Sequence, residues 1–256
     1  MIHETAIVSE KADISEGVSI GPYSIIGPDV SIGSDTIIES HVVITGRTKI
    51  GKLNHFYPFS TIGESPQDMK YKGEDTELEI GDRNTIRESC TINRGTVQDT
   101  GVTRLGNDNW IMAYVHIAHD CQIGNNTVFA NNTTLGGHIE VGDYAIFGGF
   151  SGAHQFCKIG SHSFLGIYSG VAKDLPPYVI VTGQPAVPRG INIEGLKRRG
   201  FTTEQIRNIK SAYKLLYNSD LRLEEAQEKI SGLDEVSNEL QVMLEFIQAS
   251  TRGIIR

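Results

Sequence analysis

The sequence has 256 residues, of which 39% are hydrophobic and 21% charged, with a formal net charge of −8 at pH 7. This length can bury a continuous core in one large domain plus a small appendage. The acidic balance argues against general nucleic-acid binding, and the lack of an apolar run of about 18 residues argues against a membrane span. The cysteines, Cys90, Cys121 and Cys157, are scattered and the N-terminal stretch is charged, so we expect reduced thiols in a cytoplasmic protein without a signal peptide.

A six-residue repeat organises the chain from its N-terminus, with isoleucine at the third position of each early hexad. These hexads read ADISEG, VSIGPY, SIIGPD, VSIGSD and TIIESH. In this phase, 24 of 25 positions between Val8 and Val171 carry Ile, Leu, Val or Phe, and Ala153 is the exception. A period of six fits neither an α-helix nor simple strand alternation, but it fits a β-solenoid whose faces take one hexad each. Ordinary strands of a β-sandwich would not keep this phase for so long.

Two excursions interrupt the repeat. The first, near residues 64–77, lies in an interval that preserves the phase, and it contains Lys70. The second, near residues 96–102, adds a loop between two hexads. Insertions in solenoids map to loops and often carry function. A tolerated surface bulge is the alternative for both, but Lys70 favours a functional role for the first.

The repeat ends near LPPYVIVTGQPAVP, whose prolines predict the end of regular strand pairing. We therefore assign residues 1–186 to the solenoid and residues 187–256 to a C-terminal helical domain.

Three helices are predicted in that domain. Thr202 and Gln205 form a potential capping box for the first, over about residues 203–218. The other two are predicted over LRLEEAQEKI and VSNELQVMLEFIQA.

The start of the helical domain is basic. Residues 187–218 hold seven Lys/Arg against two Asp/Glu, whereas residues 219–256 hold four against eight. A solvated helix face explains such a patch about as well as a docking site for an acidic macromolecule.

The hexad pattern resembles the hexapeptide-repeat acyltransferases. This resemblance implies a mainly β protein, a left-handed parallel β-helix with three hexads per coil, followed here by the α-helical domain. General rules for parallel strands would instead predict right-handed crossovers. Three hexads per coil place residue i next to residue i+18, with coils about 4.8 Å apart.

Coils of this size bring scattered histidines together. His119, within the stretch VHIAHDC, then lies next to Gly137 of the following coil. The same edge is expected to hold His116, His138, His154 and Gln155. A cluster of imidazoles is a better candidate for function than a lone histidine, which is more often structural.

Two kinds of chemistry fit this cluster. Neutral imidazoles bind zinc, as in the γ-class carbonic anhydrases, but Cys121 has the phase of Cys157 and fits a small residue of the solenoid wall. A histidine can instead take a proton from an alcohol and return it to a leaving thiolate, and we favour this interpretation without a metal. Asp120 could fix the tautomer of His119 if the chain turns a corner there, and the Gly137 amide could stabilise an oxyanion.

More specific motifs narrow the resemblance to the UDP-N-acetylglucosamine acyltransferases. They are HIAHDC, QDMKY, IRESCTINRGTVQ, ANNTTLGGH, HQFCKIG, PPYVI, NIEGLKRRGF and STRGIIR. The resemblance implies a homotrimer that moves a (3R)-hydroxyacyl chain from acyl carrier protein to the 3-hydroxyl of UDP-N-acetylglucosamine, the first step of lipid A biosynthesis. It implies direct attack without an acyl-enzyme, and no cofactor beyond the carrier's phosphopantetheine.

The same resemblance assigns roles to individual residues. His119 is the general base, Asp120 its orienting partner and Gly137 the oxyanion donor. The nucleotide sugar or the reacting groups would contact Asp68, Lys70, His116, His138, His154 and Gln155. The uridine diphosphate or the phosphopantetheine end would contact Asn192, Glu194, Arg198 and Arg199. Ile167 occupies the position of an acyl-chain ruler, where a glycine would leave more room, and so predicts a shorter acyl chain.

Three alternatives stay open at this point. The first is another hexapeptide-repeat transferase of the N-acyl or acetyl-CoA type. The missing N-terminal uridine-binding domain disfavours the N-acyl type, and the basic helical tail, which suits an acidic carrier protein, disfavours the acetyl-CoA type. The second is a metalloenzyme like γ-carbonic anhydrase, and the third is a non-catalytic scaffold, which the histidine edge disfavours.

Overall fold

The computed structural model describes residues 1–233 and 237–256, which form a parallel β-helix of three sheets followed by four helices. Sheet A contains β3 (Ser19–Ile20), β6 (Ile37–Ile38), β9 (His55–Phe56), β12 (Thr85–Ile86), β15 (Trp110–Ile111), β18 (Val128–Phe129), β21 (Ile146–Phe147), β24 (Phe164–Leu165), β26 (Val179–Thr182) and β27 (Val187–Ile191). Sheet B contains β1 (Ile7–Val8), β4 (Ile25–Ile26), β7 (Val43–Ile44), β10 (Thr61–Glu64), β13 (Thr91–Asn93), β16 (His116–Ile117), β19 (Thr134–Leu135), β22 (Gly152–Ala153) and β25 (Gly170–Val171). Sheet C contains β2 (Asp13–Ile14), β5 (Val30–Ile32), β8 (Arg47–Ile50), β11 (Glu77–Ile80), β14 (Val102–Leu105), β17 (Gln122–Ile123), β20 (Glu140–Val141) and β23 (Lys158–Ile159).

The register confirms the predicted coil. His116 of β16 lies opposite Thr134 of β19, and Thr134 lies opposite Gly152 of β22, a spacing of one coil each time. The aliphatic positions of the hexads point inward, and Ile44, Phe56 and other members of the series are fully buried. One continuous hydrophobic core therefore runs along the axis of the β-helix.

Three rows of turns form the edges of this prism, which we call the AB, BC and CA corners after the sheets that they join. Each corner repeats one residue with a positive φ, and most of these residues are not glycine. At the BC corner, Asp120, His138 and Phe156 have φ of 59°, 61° and 67°. This left-handed conformation redirects the side chain relative to its neighbour, which an extended strand would not do.

Both excursions leave the β-helix at the BC corner, in successive coils. The first connects β10 to β11 and the second connects β13 to β14. The strands on either side stay in register across them, since Thr61 pairs with Thr91 and Thr91 pairs with His116. The excursions therefore add chain without changing the phase of the coil.

Strand pairing continues beyond the prolines, so the prediction that it ends there was wrong. β26 extends sheet A in parallel with β24, and β27 turns back to pair antiparallel with β26. Pro176 and Pro177 lie before β26, where no ladder hydrogen bond is needed from them. The segment 187–191, which we assigned to the helical domain, is thus an edge strand.

The helices are α1 (Ile193–Arg198), α2 (Thr203–Tyr217), α3 (Leu223–Ser231) and α4 (Asn238–Gln248). The three predicted helices are present, although Val236, the first residue of the third prediction, lies outside the described residues. α2 begins with the predicted capping box of Thr202 and Gln205. α1 was not predicted, because six residues are too few to show a helical period. None of the helices in the described parts of the chain is long and apolar enough to cross a membrane.

The helical domain has its own core, and the C-terminal segment ties it to the last coil of the β-helix. The Ser250 hydroxyl donates to the buried Asp174 carboxylate over 2.6 Å. The Asp174 amide donates to the Gly253 carbonyl, and the Ile255 amide donates to the Asp174 carbonyl. The segment 250–255 therefore packs against the last coil of the solenoid.

Candidate active site

The BC corner joins His119 to Asp120. The distance between His119 Nδ1 and Asp120 Oδ2 is 2.9 Å, and the Asp120 side chain is fully buried whereas 12% of the His119 side chain is exposed. A buried carboxylate at this distance holds the ring proton on Nδ1 and leaves Nε2 free to exchange a proton. The positive φ of Asp120 supplies the corner geometry that this contact requires.

Asp120 is itself held by the second excursion. The Thr96 hydroxyl donates to Oδ2 over 2.6 Å, and the Thr96 amide donates to both carboxylate oxygens over 3.0 and 3.1 Å. The Asp120 amide donates to Thr103 Oγ1 over 2.8 Å. Burial alone would raise the pKa of Asp120, but the hydrogen bonds from His119 and Thr96 outweigh burial and lower it. The carboxylate therefore stays ionised beside the imidazole.

A second imidazole, His138, lies against the first. The His119 and His138 rings meet edge to face with their centroids 4.9 Å apart, and Phe156 stacks on the other face of His138 at 4.4 Å. His138 Nδ1 lies 2.7 Å from Asp99 Oδ2 and 3.8 Å from Asp120 Oδ2. Each imidazole thus has a carboxylate at Nδ1.

His116 completes the group. A hydrogen bond of 2.7 Å joins its Nδ1 to Thr91 Oγ1. Burial lowers the pKa of His116, and the charge of the nearby His119 lowers it further. His119 and His138 are in contact and His116 lies near enough to feel the charge of His119, and we call these three residues the imidazole cluster.

Gly137 is required by the imidazole of His119. A Cβ at position 137 would lie 2.5 Å from Cε1 and 2.7 Å from Nε2 of that ring, which is closer than atoms can approach. Within the described residues, the Gly137 amide donates no hydrogen bond to the protein. It is a free donor directly beside the proposed base, as an oxyanion donor must be.

His154 and Gln155 lie at the same corner, two coils from His119, and are exposed. His154 Nδ1 lies 3.2 Å from the Gln155 carbonyl oxygen. His154 borders a recess of about 670 Å³ on sheet B, whose floor includes Gly152 and Gly170. The structure thus places His154 beside a groove rather than within the imidazole cluster.

Ile167 lies at the AB corner, on the other side of sheet B, and 63% of it is exposed. The rings of Phe150 and Tyr168, its neighbours at this corner, stack with centroids 5.2 Å apart and border the recess that His154 borders. The groove therefore runs across sheet B from the BC corner toward the residues around Ile167.

The first excursion does not bring its predicted site residues to the imidazole cluster within one chain. The Lys70 amide donates to Asp68 Oδ1 over 3.0 Å, and the Lys70 side chain is exposed. Arg94 holds the loop instead, with hydrogen bonds of 3.1 Å to Tyr71 Oη and 3.1 Å to Ser65 Oγ.

The predicted residues at α1 form a separate group at the CA corner. The Asn192 carboxamide caps α1 by accepting from Gly195, and it donates to the His162 carbonyl over 3.0 Å. The Arg199 guanidinium lies 4.8 Å from the centre of the Tyr144 ring. The more exposed members of this group are Glu194 and Arg198. Asn192 and Arg199 thus have structural contacts in addition to any ligand role.

The cysteines and the carboxylates decide between acid–base chemistry and two other kinds, namely nucleophilic attack by a thiol and metal binding. Cys121 is fully buried, and burial raises its pKa to about 12, which is unsuitable for a nucleophile at neutral pH. Among the described residues, His119, Asp120 and His138 form one group whose ligand atoms lie within 4.8 Å of one another, as a metal site would need. The oxygens of Asp120 already accept hydrogen bonds from Thr96 and His119, which favours acid–base chemistry over metal binding.

Sequence reasoning missed three residues of this site, namely Thr96, Asp99 and Thr103. All lie in or next to the second excursion. Thr96 lies in the motif IRESCTINRGTVQ but was given no role, and the only signal for Asp99 and Thr103 was the position of that loop, one coil before His119.

Comparisons with known proteins agree with this architecture. A family profile described as UDP N-acetylglucosamine O-acyltransferase, domain 2, matches residues 174–255, and a profile for bacterial transferase hexapeptide repeats matches residues 11–46 and 103–137. The acyl-[acyl-carrier-protein]–UDP-N-acetylglucosamine O-acyltransferase of Thiobacillus denitrificans is 58% identical over 203 residues, 79% of each chain. The protein of that name from Verminephrobacter eiseniae is 53% identical over 218 residues, 84% of this chain and 83% of the relative.

A solved structure from Acinetobacter baumannii, described by the gene symbol LpxA, superposes with a TM-score of 0.97 at 48% identity and covers 100% of this chain and 99% of that one. The left-handed β-helix with C-terminal helices is thereby confirmed.

Proposed function

The chain belongs to the family of UDP-N-acetylglucosamine O-acyltransferases, and we propose that His119 is the general base of its acyl transfer. The protein is an O-acyltransferase of lipid A biosynthesis, with acyl carrier protein as the acyl donor and UDP-N-acetylglucosamine as the acceptor. In the proposed reaction, the acyl group is a (3R)-hydroxyacyl chain and the acceptor atom is the 3-hydroxyl oxygen. Membership of this family excludes the three alternatives considered from the sequence: another hexapeptide-repeat transferase, a metalloenzyme like γ-carbonic anhydrase, and a non-catalytic scaffold.

The geometry that carries the proposal is the 2.9 Å contact between His119 Nδ1 and the Asp120 carboxylate. With its ring proton held on Nδ1, His119 can accept the proton of the sugar hydroxyl at Nε2 while the hydroxyl oxygen attacks the thioester carbonyl. The carbon–sulfur bond then breaks, and the imidazolium returns the proton to the leaving phosphopantetheine thiolate. The ionised Asp120 stabilises the imidazolium between these steps.

The negative charge that develops on the thioester oxygen needs a donor, and the free amide of Gly137 is the proposed one. Direct attack fits the site, because Cys90 and Cys121 are buried and burial raises their pKa to about 11 and about 12, respectively. The reaction requires no metal and no cofactor beyond the carrier's phosphopantetheine. The proposal places the enzyme in the cytoplasm, which fits its free, buried thiols.

A homotrimer is part of the proposal. Exposed aromatic rings line the AB corner from the first coils to the last, and monomeric proteins rarely expose an apolar stripe of this kind. They belong to Tyr23, His41, Phe59, Tyr114, Phe150 and Tyr168. Copies packed along this edge would cover the rings and allow residues of one subunit to reach the imidazole cluster of the next.

Assembly of this kind would give the remaining predicted residues access to substrate. Asp68 and Lys70 on the first excursion would contact the nucleotide sugar or the reacting groups. Asn192, Glu194, Arg198 and Arg199 at the CA corner would contact the uridine diphosphate or the phosphopantetheine end of the carrier. His116, His138, His154 and Gln155 would contact the sugar or the thioester. The exposed basic side chains of Arg207, Lys210 and Lys214 on α2 suit docking of the acidic carrier protein.

The base assignment is tested by His119→Ala. Loss of a general base lowers kcat by about 10² to 10⁴-fold, whereas His3→Ala, which removes an exposed imidazole far from the cluster, should leave activity unchanged. The measurement is acyl transfer from a hydroxyacyl carrier protein to UDP-N-acetylglucosamine. A His119→Ala enzyme within tenfold of the wild type would refute the assignment.

Acyl-chain length is a second part of the proposal. Ile167 precedes Tyr168, which borders the groove on sheet B at the AB corner, so its exposed branched side chain should end the groove earlier than a glycine would. Ile167→Gly is expected to shift the preferred donor toward longer chains in an assay with carrier proteins of graded acyl length. An unchanged preference for acyl-chain length would refute the assignment of Ile167 as the acyl-chain ruler.

A further inference from the structure

The second excursion, Thr96–Gly101, is a closed and well-fixed loop. Its two ends meet at β11, because the Gly95 amide donates to the Glu77 carbonyl over 3.0 Å and the Glu77 amide donates to the Gly101 carbonyl over 2.8 Å. A Cβ at position 95 would lie 2.3 Å from the Gly101 carbonyl carbon, so the ends are in contact. A side chain carried by this loop therefore has a defined position.

The loop contributes to both carboxylate–imidazole pairs. Thr96 donates two groups to the Asp120 carboxylate, which holds His119. Asp99 accepts a hydrogen bond from His138 Nδ1 over 2.7 Å. The Asp99 amide approaches the Thr96 carbonyl at 3.4 Å, so both residues belong to one turn.

We propose that Asp99 is a positioning residue for the acyl transfer, which fixes His138 through Nδ1 as Asp120 fixes His119. This inference rests on the proposed function, since it needs a reaction in which His138 contacts substrate. With Nδ1 bonded to Asp99, the ring of His138 can meet substrate only through Nε2. Stacking on Phe156 fixes the plane of the ring, and the carboxylate fixes its rotation within that plane.

The competing explanation is an incidental ion pair at the protein surface, because 40% of the Asp99 side chain is exposed. Three observations oppose it. Only 10% of the His138 side chain is exposed, so its contact with Asp99 is largely shielded from water. The titratable groups that face this ring are Asp99, Asp120 and His119, and the carboxylate nearest to Nδ1 is that of Asp99. The loop that carries Asp99 also holds Asp120.

A double-mutant cycle between Asp99 and His138 tests the proposal. Asp99→Asn should lower kcat/KM about tenfold, as expected for loss of a charge-assisted hydrogen bond. The same substitution in a His138→Ala background should have no further effect, because the carboxylate would then have nothing to position. Asp99→Glu should recover part of the lost activity. Equal effects of Asp99→Asn in both backgrounds would overturn the proposal.

A tautomer measurement gives a readout that a purely structural role would not move. Long-range ¹H–¹⁵N correlation spectra of the histidine rings should show His138 protonated at Nδ1 in the wild type and a changed pattern in Asp99→Asn, with the signals assigned by their loss in His138→Ala. The matched control is Asp108→Asn, which removes a carboxylate paired with Arg83 at 2.7 Å on the CA corner. This control should leave the spectra and the rate unchanged.

Failure of this inference is distinct from failure of the proposed function. If His119→Ala abolishes transfer while Asp99→Asn acts equally with and without His138, only the role of Asp99 is lost. If His119→Ala retains activity, the proposed base is wrong whatever Asp99 does. Thermal unfolding of each variant shows whether a lost rate reflects a lost fold.

Discussion

The two excursions leave the same corner of the β-helix, one coil apart, and are fixed in different ways. The first, between β10 and β11, is held by a guanidinium, since Arg94 Nη1 donates to the Gly63 carbonyl over 2.8 Å and its side chain packs on the Tyr71 ring. Its tip, with Lys70, is exposed. The second, between β13 and β14, directs Thr96 and Asp99 into the imidazole cluster.

This difference shows how a solenoid builds a site from simple repeats. The coil places His119 and His138 next to each other, but the carboxylate that it brings nearest to His138 Nδ1, that of Asp120, lies 3.8 Å away and is bonded to His119. The loop from the adjacent coil adds the Asp99 carboxylate at 2.7 Å and also fixes Asp120. The first excursion lies one coil further away and does not reach the imidazole cluster of its own subunit. It can therefore contact only a ligand or a neighbouring copy of the chain.

The largest effect on the rate is expected for Asp120, the carboxylate that links the second excursion to His119. Asp120→Asn replaces a carboxylate that accepts from Thr96 and His119 with an amide of lower charge, so the imidazolium loses its stabilising partner. We expect kcat to fall by about 10²-fold, measured at saturating substrates. A variant within threefold of the wild type would show that the Asp120 carboxylate, and the contact that Thr96 makes with it, do not support the base.

Releasing the first excursion should have a smaller effect of a different kind. Arg94→Met removes the hydrogen bonds to Gly63, Ser65 and Tyr71, and so loosens the loop without touching the imidazole cluster. We expect KM for the nucleotide sugar to rise about tenfold with kcat within twofold of the wild type. Arg83→Met, at the CA corner, is the matched control. A fall in kcat with an unchanged KM would show that the first excursion, like the second, supports catalysis rather than substrate binding.

Lys70 itself should account for most of that effect. Lys70→Met is expected to raise KM for the nucleotide sugar about fivefold, because an exposed ammonium contributes a screened attraction for phosphate. If Arg94 acts by positioning Lys70, the double variant should bind no worse than Arg94→Met alone. Additive losses would mean that the loop contributes other contacts.

The smallest effect on the rate is expected at His162, which neither excursion touches. Its ring stacks on Tyr144 at the CA corner, and burial, followed by the charge of Arg199, lowers its pKa to about 4. The unfolded chain, with a histidine pKa of about 6.5, binds more protons between these values, so stability is complete above pH 6.5 and falls as the pH drops toward 4.

The corresponding measurement is denaturant unfolding at several pH values between 4 and 7. His162→Phe keeps an aromatic ring in the stack and should remove about 2 kcal/mol of this pH dependence, with allowance for partial exposure, while activity at pH 7.5 stays near that of the wild type. A pH dependence equal to that of the wild type would show that His162 is not the titrating group.

The hexad repeat made it possible to predict the coils, their register and their core residues from the sequence. One aliphatic side chain per hexad determines the register, and the register places Gly137 and His138 beside His119. The conformations of the two loops could not be predicted from the repeat, because they depend on the hydrogen bonds that hold the ends of each loop. Asp99 and Thr96 were therefore given no role, although Thr96 lies in a motif that the resemblance singled out, while Lys70 was singled out by its charge. α1 was missed because one and a half turns show no period, although its cap Asn192 lies in a motif that the resemblance singled out.

The register also limits how a chain of this kind can change length. A single residue inserted into a hexad between His119 and Gly137 would shift the later aliphatic side chains out of the core and move Gly137 away from His119. Only a loop whose ends return to the same corner can grow or shrink without this penalty, and Gly95 and Gly101 show such a closure. The two excursions are thus the places where this chain can change length while every coil keeps its place.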